Sequence, residues 1–595
     1  MDPITEQENH RKALALIICL FVGFMYWESV WKPYFNPTLP SAPRGEQVAA
    51  PKPAATPDAA EQFLEPSVAL DPMAASDLTA EADKPGTAQQ PTAPAAEMTR
   101  YPSDARVSDA GVIEVTTSKY KANLSLLGGR LTDLYLLEYA AKPGNGAERL
   151  NLVTHAEHAP HPLGVYSGGV DDSWTTYQVV EGVQGSAVTV TAEAAEVVLQ
   201  GTLPDGRGVT KRLTFAPDSY VLDVAVELSA PAADSGRALL EWTHLSTDAE
   251  TSLLDPYNVT GYAWFNGEKA LREAYGKFEG IRQELGPLRW IAQADKYFMA
   301  ALVAPNELAP GYALRTGSLW RSRLAGEPTS VQLKLVVGPK QYERLEDLGY
   351  ELQRVIDFGY TGFVAAPLLS LLHVAYSVVG NYGLAIILLT ILVRLALYPL
   401  AAASFKQMRA MQDLKPEIDR VREQITDKQQ QQMELMALYK KKGVNPLGGC
   451  LPVLLQMPIF IGLYSALMLS VELRGADFAL WITDLSAPEK LMIGGVGIPV
   501  MVILFVISMM VQQWTTPSAM DPTQKKVMMV MPLVFGFMFA RFPAGLTLYW
   551  LTSNLISIGQ QKGMYASSGP SRSALYITLG VSAAVFVFAF IITLI

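Results

Sequence analysis

Between Ala385 and Leu400 the chain reads AIILLTILVRLALYPL, an apolar stretch of membrane-spanning character interrupted by one charge, Arg394. An arginine near mid-bilayer costs roughly 2.5–3.5 kcal/mol on insertion scales, and more on some simulation estimates. A helix that carries such a residue needs a partner or a wet cavity for it. Thr390 lies four positions earlier and therefore shares the Arg394 face, one helical turn away.

Half of the 595 residues are hydrophobic and only 17% are charged, which points to an integral membrane protein with a sizeable soluble part. The net charge of −10 argues against a nucleic-acid binder, and no direct nucleic-acid site is recognised. The two cysteines, Cys19 and Cys450, are too few for a disulfide framework or a thiolate metal site.

Composition divides the chain. Residues 1–35 hold an apolar stretch, Ala13 to Trp27, behind Arg11 and Lys12, and the bulky YWESVWKPYF is no cleavage site. This segment reads as an uncleaved transmembrane anchor with a cytoplasmic N-terminus. Residues 36–100, rich in Ala and Pro, read as a disordered tether. Residues 101–350 show strand-like alternation: in VLDVAVEL, Leu222, Val224, Val226 and Leu228 face one way and Asp223 and Glu227 the other. An antiparallel β-sandwich domain is predicted there.

Residues 351–381 predict an amphipathic interfacial helix over Gly362–Gly380. The transmembrane helix with Arg394 occupies 382–403, and a basic helical hairpin occupies 404–447. Four further transmembrane helices are predicted within 448–561, at Leu451–Ser470, Leu491–Gln513, Val527–Ala540 and Pro543–Gln561. A linker and an extra apolar segment, Leu575–Ile595, fill 562–595. By the positive-inside rule the hairpin, with Lys525 and Lys526, is cytoplasmic, and the loop from Glu472 to Glu489 is outside. The β-domain then lies in the periplasm of a Gram-negative-type cell.

Gln456, Ser508, Gln512, Gln513 and Asn554 lie in these spans and must face one another or a wet cavity. Pro399, Pro452, Pro458, Pro499 and Pro532 would bend or open the helices around them. No Asp or Glu occurs within the spans from Tyr382 onward, so Arg394 has no acidic partner there. It reads as part of a site for something transient.

Other signals point away from chemistry. His155, His158 and His161 in HAEHAPH read as a surface loop rather than a metal site, and Glu114, Asp171 and Asp172 as surface charges. With no Walker A pattern, Ser–His–Asp order or intramembrane metal motif, the expectation is no enzyme, no catalytic residue, no cofactor and no metal.

Three stretches, GNYGLAIILLTILVRLALYPL, ALYKKKGVNPLGGCLPVLLQMPIFIGLY and FPAGLTLYWLTSNLISIGQQ, resemble the YidC membrane protein insertases of Gram-negative type, which have a large periplasmic domain. The order of parts resembles that family over about residues 1–561. The resemblance implies a polytopic α-helical membrane protein, a five-helix insertase core plus an N-terminal anchor, with a periplasmic antiparallel β-sandwich domain. It implies an insertase and chaperone in the cell inner membrane. Such a protein inserts, folds and assembles nascent membrane proteins, alone or with the Sec translocon, through a hydrophilic groove with a positive charge. It carries the substrate-binding role to Arg394, Thr390, Gln456, Tyr549 and Trp550, and ribosome or targeting-factor contact to residues 404–447. The apolar segment 575–595 departs from the family, which usually ends in a basic tail. The alternative is a polytopic transporter using Arg394 as an anionic-substrate site; no repeat between the halves of the membrane region supports it.

Overall fold

The computed structural model describes residues 101–594 apart from 143–144, 155, 157, 184, 234–235, 246–259, 276–277, 279–281, 445–450, 516–521 and 567–571. The expected anchor and tether, both cysteines and His155 lie outside the described residues. The described chain divides into two compact units, a β-rich one up to Ile356 and a helical one from Asp357.

The β-rich unit opens with a short helix, α1 (Asp104–Asp109), and closes with another, α2 (Tyr342–Asp347). Between them lie sheets of five, nine and six strands. Pairing is antiparallel except where Val112–Thr116 runs parallel to Ala187–Thr189. The strand Val221–Leu228 shows why this sequence pairs as it does. Its Leu222, Val224, Val226 and Leu228 are buried, while Asp223 and Glu227 are exposed. Val224 sits opposite Leu213 on one neighbour and Leu333 on the other. Period-two alternation therefore delivers one apolar face to the core. Trp242, Trp290, Trp320 and Tyr262 fill that core completely buried.

One expected surface charge is nothing of the kind. Asp172 is fully buried. It accepts hydrogen bonds from Arg130 Nε (3.2 Å) and Nη2 (2.8 Å), Lys211 Nζ (2.9 Å), the Tyr177 hydroxyl (3.1 Å) and the Val165 amide (3.1 Å). The two cations come from distant strands, so nothing local in the sequence announces the cluster. Burial alone would raise the Asp172 carboxyl, but the Lys211 and Arg130 charges outweigh it and hold the group below the usual carboxylate range. Asp171 and Glu114 are surface-proximal: Asp171 caps the Ser173 amide at 2.8 Å and Glu114 pairs with Lys121 at 2.7 Å. His158 bonds the Tyr101 carbonyl (3.2 Å), and His161 lies 3.8 Å from Asp104.

The helical unit comprises α3 (Gly362–Val379), α4 (Tyr382–Ala396), α5 (Tyr398–Asp413), α6 (Lys415–Gln424), α7 (Lys428–Lys442), α8 (Leu451–Leu469), α9 (Val500–Thr515), α10 (Pro522–Phe539), α11 (Ala544–Ala566) and α12 (Arg572–Thr593). By length and composition, α3 and α12 are long and apolar enough to cross a membrane. So are α4 and α5 taken together across a 60° bend. The span expected over 382–403 thus breaks at Leu397. Pro399 enters the first turn of α5 and has no N–H to continue the α4 ladder.

The span expected from Leu491 starts only at Val500. Residues Leu491–Ile493 and Val496–Ile498 instead pair as a small hairpin around Gly494 and Gly495, both at positive φ, where glycine is at home. The α9 start is then capped by Glu489, whose carboxylate accepts from the Met501 amide (2.6 Å) and Trp481 Nε1 (2.8 Å). The hairpin α6–α7 is stapled by Lys442 to Glu417 at 2.6 Å, and Asp427 caps α7 by accepting from the Gln429 amide.

Candidate binding site around Arg394

Arg394 sits in the last turn of α4 and is half-buried. Its Nε donates to Ser553 Oγ on α11 at 2.9 Å, and Nη2 donates to the same oxygen. A hydroxyl can receive these bonds but cannot neutralise them. Among the described residues no carboxylate pairs with this guanidinium, so the site keeps its positive charge.

The start of α4 is fixed by Asn381, whose Oδ1 accepts from the Leu384 amide (3.1 Å) while Nδ2 donates to the Phe478 carbonyl (3.0 Å). A side chain at Gly383 would run into the Phe478 ring, so α4 approaches that loop closely only because this position is glycine. Thr390 is fully buried and donates to the Ile386 carbonyl at 2.6 Å, one turn back along its own helix. It shares the face of Arg394 but its hydroxyl is already used.

On α11 the polar residues lie along one stripe. Tyr549 is buried and accepts from Gln456 Nε2 of α8 at 2.9 Å. Ser553, one turn further, receives Arg394. Arg394, Ser553, Tyr549 and Gln456 thereby tie α4, α11 and α8 around one polar centre. Neighbouring polar groups pair in the same manner: Asn554 donates to Ser508 Oγ (3.1 Å), Thr515 donates to Gln561 Oε1 (2.9 Å), and Gln513 donates to the Met528 carbonyl (2.8 Å). Polar groups in spanning helices do need such partners.

Trp550 is not brought into this centre. It follows Tyr549 by one residue, about 100° around the helix, and enters an aromatic cluster instead. Its ring stacks on Phe539 (4.5 Å between centroids) and Phe460 (4.7 Å), with Phe505 and Phe535 beyond. Sequence reasoning missed Ser553: its one-turn spacing from Tyr549 is visible, but nothing in the sequence marks it as the partner of Arg394.

The fold and this site define a polytopic membrane protein whose helical core holds an uncompensated positive charge, joined to a β-domain of antiparallel sheets. Residues 374–569 match the family described as 60Kd inner membrane protein, and residues 112–371 match the YidC periplasmic domain. A relative from Oleidesulfovibrio alaskensis, a membrane protein insertase YidC, is 35% identical over 77% of this chain and 86% of its own length. Another from Dechloromonas aromatica, of the same description, is 33% identical over 93% and 96%. A crystal structure of an active YidC insertase aligns with 75% of the chain at 22% identity and a TM-score of 0.35. The chain belongs to the YidC family of membrane protein insertases, inner-membrane proteins with a periplasmic domain and transmembrane helices.

Proposed function

We propose that this protein inserts nascent inner-membrane proteins, alone or beside the Sec translocon, by receiving their polar, acidic segments at Arg394. The observation that carries this reading is the Arg394–Ser553 bond without a carboxylate. Charge attraction strengthens where water is sparse, so a fixed guanidinium lowers the cost of bringing an acidic tail part-way across. A neutral serine positions the guanidinium and leaves it available. Arg394 and Gln456 meet the client, while the buried Thr390 and Tyr549 and the partly buried Trp550 shape the walls.

Helix length supports the same reading. α4 has 15 residues and α9 has 16, about 22 and 24 Å at 1.5 Å per residue. The hydrocarbon layer is about 30 Å thick. The straight part of α4 thus ends at Leu397 short of that thickness, with α5 continuing at 60° to it, which favours a locally thinned bilayer beside Arg394. The client's apolar helix then moves into lipid by its own partitioning, and no covalent bond changes. The N-terminus is cytoplasmic and the basic hairpin α6–α7 meets ribosomes or targeting factors on that side.

In cells depleted of their own insertase, Arg394→Ala is expected to insert a small client with an acidic translocated tail at least about tenfold more slowly. That corresponds to the roughly 1.5–3 kcal/mol of a charge-assisted hydrogen bond. Insertion at the parent rate would overturn the electrostatic role.

A further inference from the structure

The family match ends at residue 569, and α12 lies beyond it. Even so, α12 is packed into the helical unit. On α11 the run Gly559–Gln560–Gln561–Lys562–Gly563 places two glycines one turn apart. A Cβ on Gly559 would stand 2.8 Å from a Val581 methyl, and one on Gly563 would stand 3.2 Å from the Ala574 backbone. The facing stripe of α12 is made of small residues, with Ala574, Thr578, Ser582 and Ala589 all buried. Thr578 donates to the Ala574 carbonyl at 2.9 Å, so its hydroxyl is satisfied within α12. Ala574 also packs with Met564 of α11 and Ala402 of α5, and α12 touches α4.

Apolar helices in lipid gain nothing from the hydrophobic effect when they associate, so their contact rests on close packing. The two glycines and the small stripe provide it against several helices at once. Gly563 opposite Ala574 and Gly559 opposite Val581 make the two helices antiparallel. Ser553 lies six residues before Gly559, about 9 Å along the axis, which brings it level with the region of Val587. α12 therefore reaches the height of Ser553 along α11, while it also touches α4. Its other face carries the exposed Tyr576, Phe588 and Ile591. The glycines let Ala574, Ile577 and Val581 of α12 approach the α11 backbone closely, a fit set by this particular pair of helices.

We propose that α12 is a fixed sixth helix of the core, a wall that closes the α4–α11 side of the Arg394 site and stays docked while clients leave by another side. The proposal rests on the reading of Arg394 as the client site. The test is a disulfide between Gly563→Cys and Ile577→Cys, in a chain with Cys19→Ser and Cys450→Ser. The Cβ positions of residues 563 and 577 are 3.3 Å apart, close to the separation a disulfide spans. The bond is expected to form in native membranes, and oxidised protein is expected to insert the acidic-tail client within twofold of the reduced protein. Failure of the bond to form overturns the docking. A tenfold loss on oxidation, restored by reductant, overturns the fixed wall and makes α12 a moving gate. Should the cysteine chain not fold, a photo-crosslinking residue at the exposed Phe588 decides instead: client adducts there overturn the wall, and lipid adducts alone support it. If Arg394→Ala inserts at the parent rate, it is the client-site reading that fails, while bond formation still reports on docking.

Discussion

Arg394 of α4 gives two hydrogen bonds to a single oxygen, Ser553 Oγ of α11, so the cation is held in place by a group with no charge to cancel it. The arrangement separates fixing a charge from neutralising it. Several outcomes depend on that separation.

Ser553→Asp would supply the missing anion inside the protein. The carboxylate would pair with Arg394 and compete with any acidic client. Insertion of a client with an acidic tail should fall about tenfold or more, while a client with a neutral tail should be much less affected. Comparing the two clients in a reconstituted insertion assay checks this. Equal losses for both would mean that Ser553 matters only for packing.

Arg394→Lys keeps the charge and loses the fork that grips Ser553 with two nitrogens. Its loss in the same assay should be smaller than that of Arg394→Ala. If lysine and alanine are equally poor, geometry rather than charge is what the site requires.

Tyr549 and Trp550 are neighbours with separate tasks, and truncating them should have separate effects. Trp550→Ala empties the space between Phe460, Phe505, Phe535 and Phe539 and should destabilise the protein by about 3–5 kcal/mol. Tyr549→Phe removes only the oxygen that receives Gln456, at about 1 kcal/mol. Thermal unfolding in detergent, read by loss of helical signal, distinguishes the two.

The β-rich unit should lose stability in acid. Asp172 and Asp133 both have carboxyls held below their ordinary range. In each case burial opposes the shift; Lys211 and Arg130 overcome it at Asp172, and Asn123, Tyr135, Thr132 and Asn151 do so by hydrogen bonds at Asp133. A carboxyl depressed in the folded state contributes stability above its unfolded value, about 3.9. That contribution is lost as pH falls through the folded value. Asp172→Asn should cost about 3–5 kcal/mol at neutral pH, because Arg130 and Lys211 are then buried without their anion. It should also flatten the acid dependence. Denaturant midpoints of the full chain across pH, followed by β-sheet signal, test both expectations.

The alternation of Val221–Leu228 and the apolar spans were readable because each residue there obeys one local rule, burial at a fixed period. Arg394 was readable for the opposite reason, since it breaks that rule. Ser553 was not, because serine is small, uncharged and unremarked in any hydropathy pattern. Asp172 was misread because its partners Arg130 and Lys211 arrive from strands about forty residues away in either direction. The contact of Gly559 with Val581 was equally silent, as glycine in a helix signals close approach only once the other helix is known.

The break at Leu397 has an electrostatic consequence of its own. A helix that ends there presents the negative pole of its dipole in its last turn, and that turn contains Arg394. Pro399 cannot give the Leu395 carbonyl the amide hydrogen it would receive in a continuous helix, and that oxygen accepts from the Leu397 amide instead. The bend turns the α5 dipole 60° away from the axis of α4, so the carbonyl end of α4 keeps a partial negative charge in the turn that holds the arginine. An unbroken α4–α5 rod would carry its dipole pole far down in the hairpin and leave Arg394 a costlier resident of the bilayer.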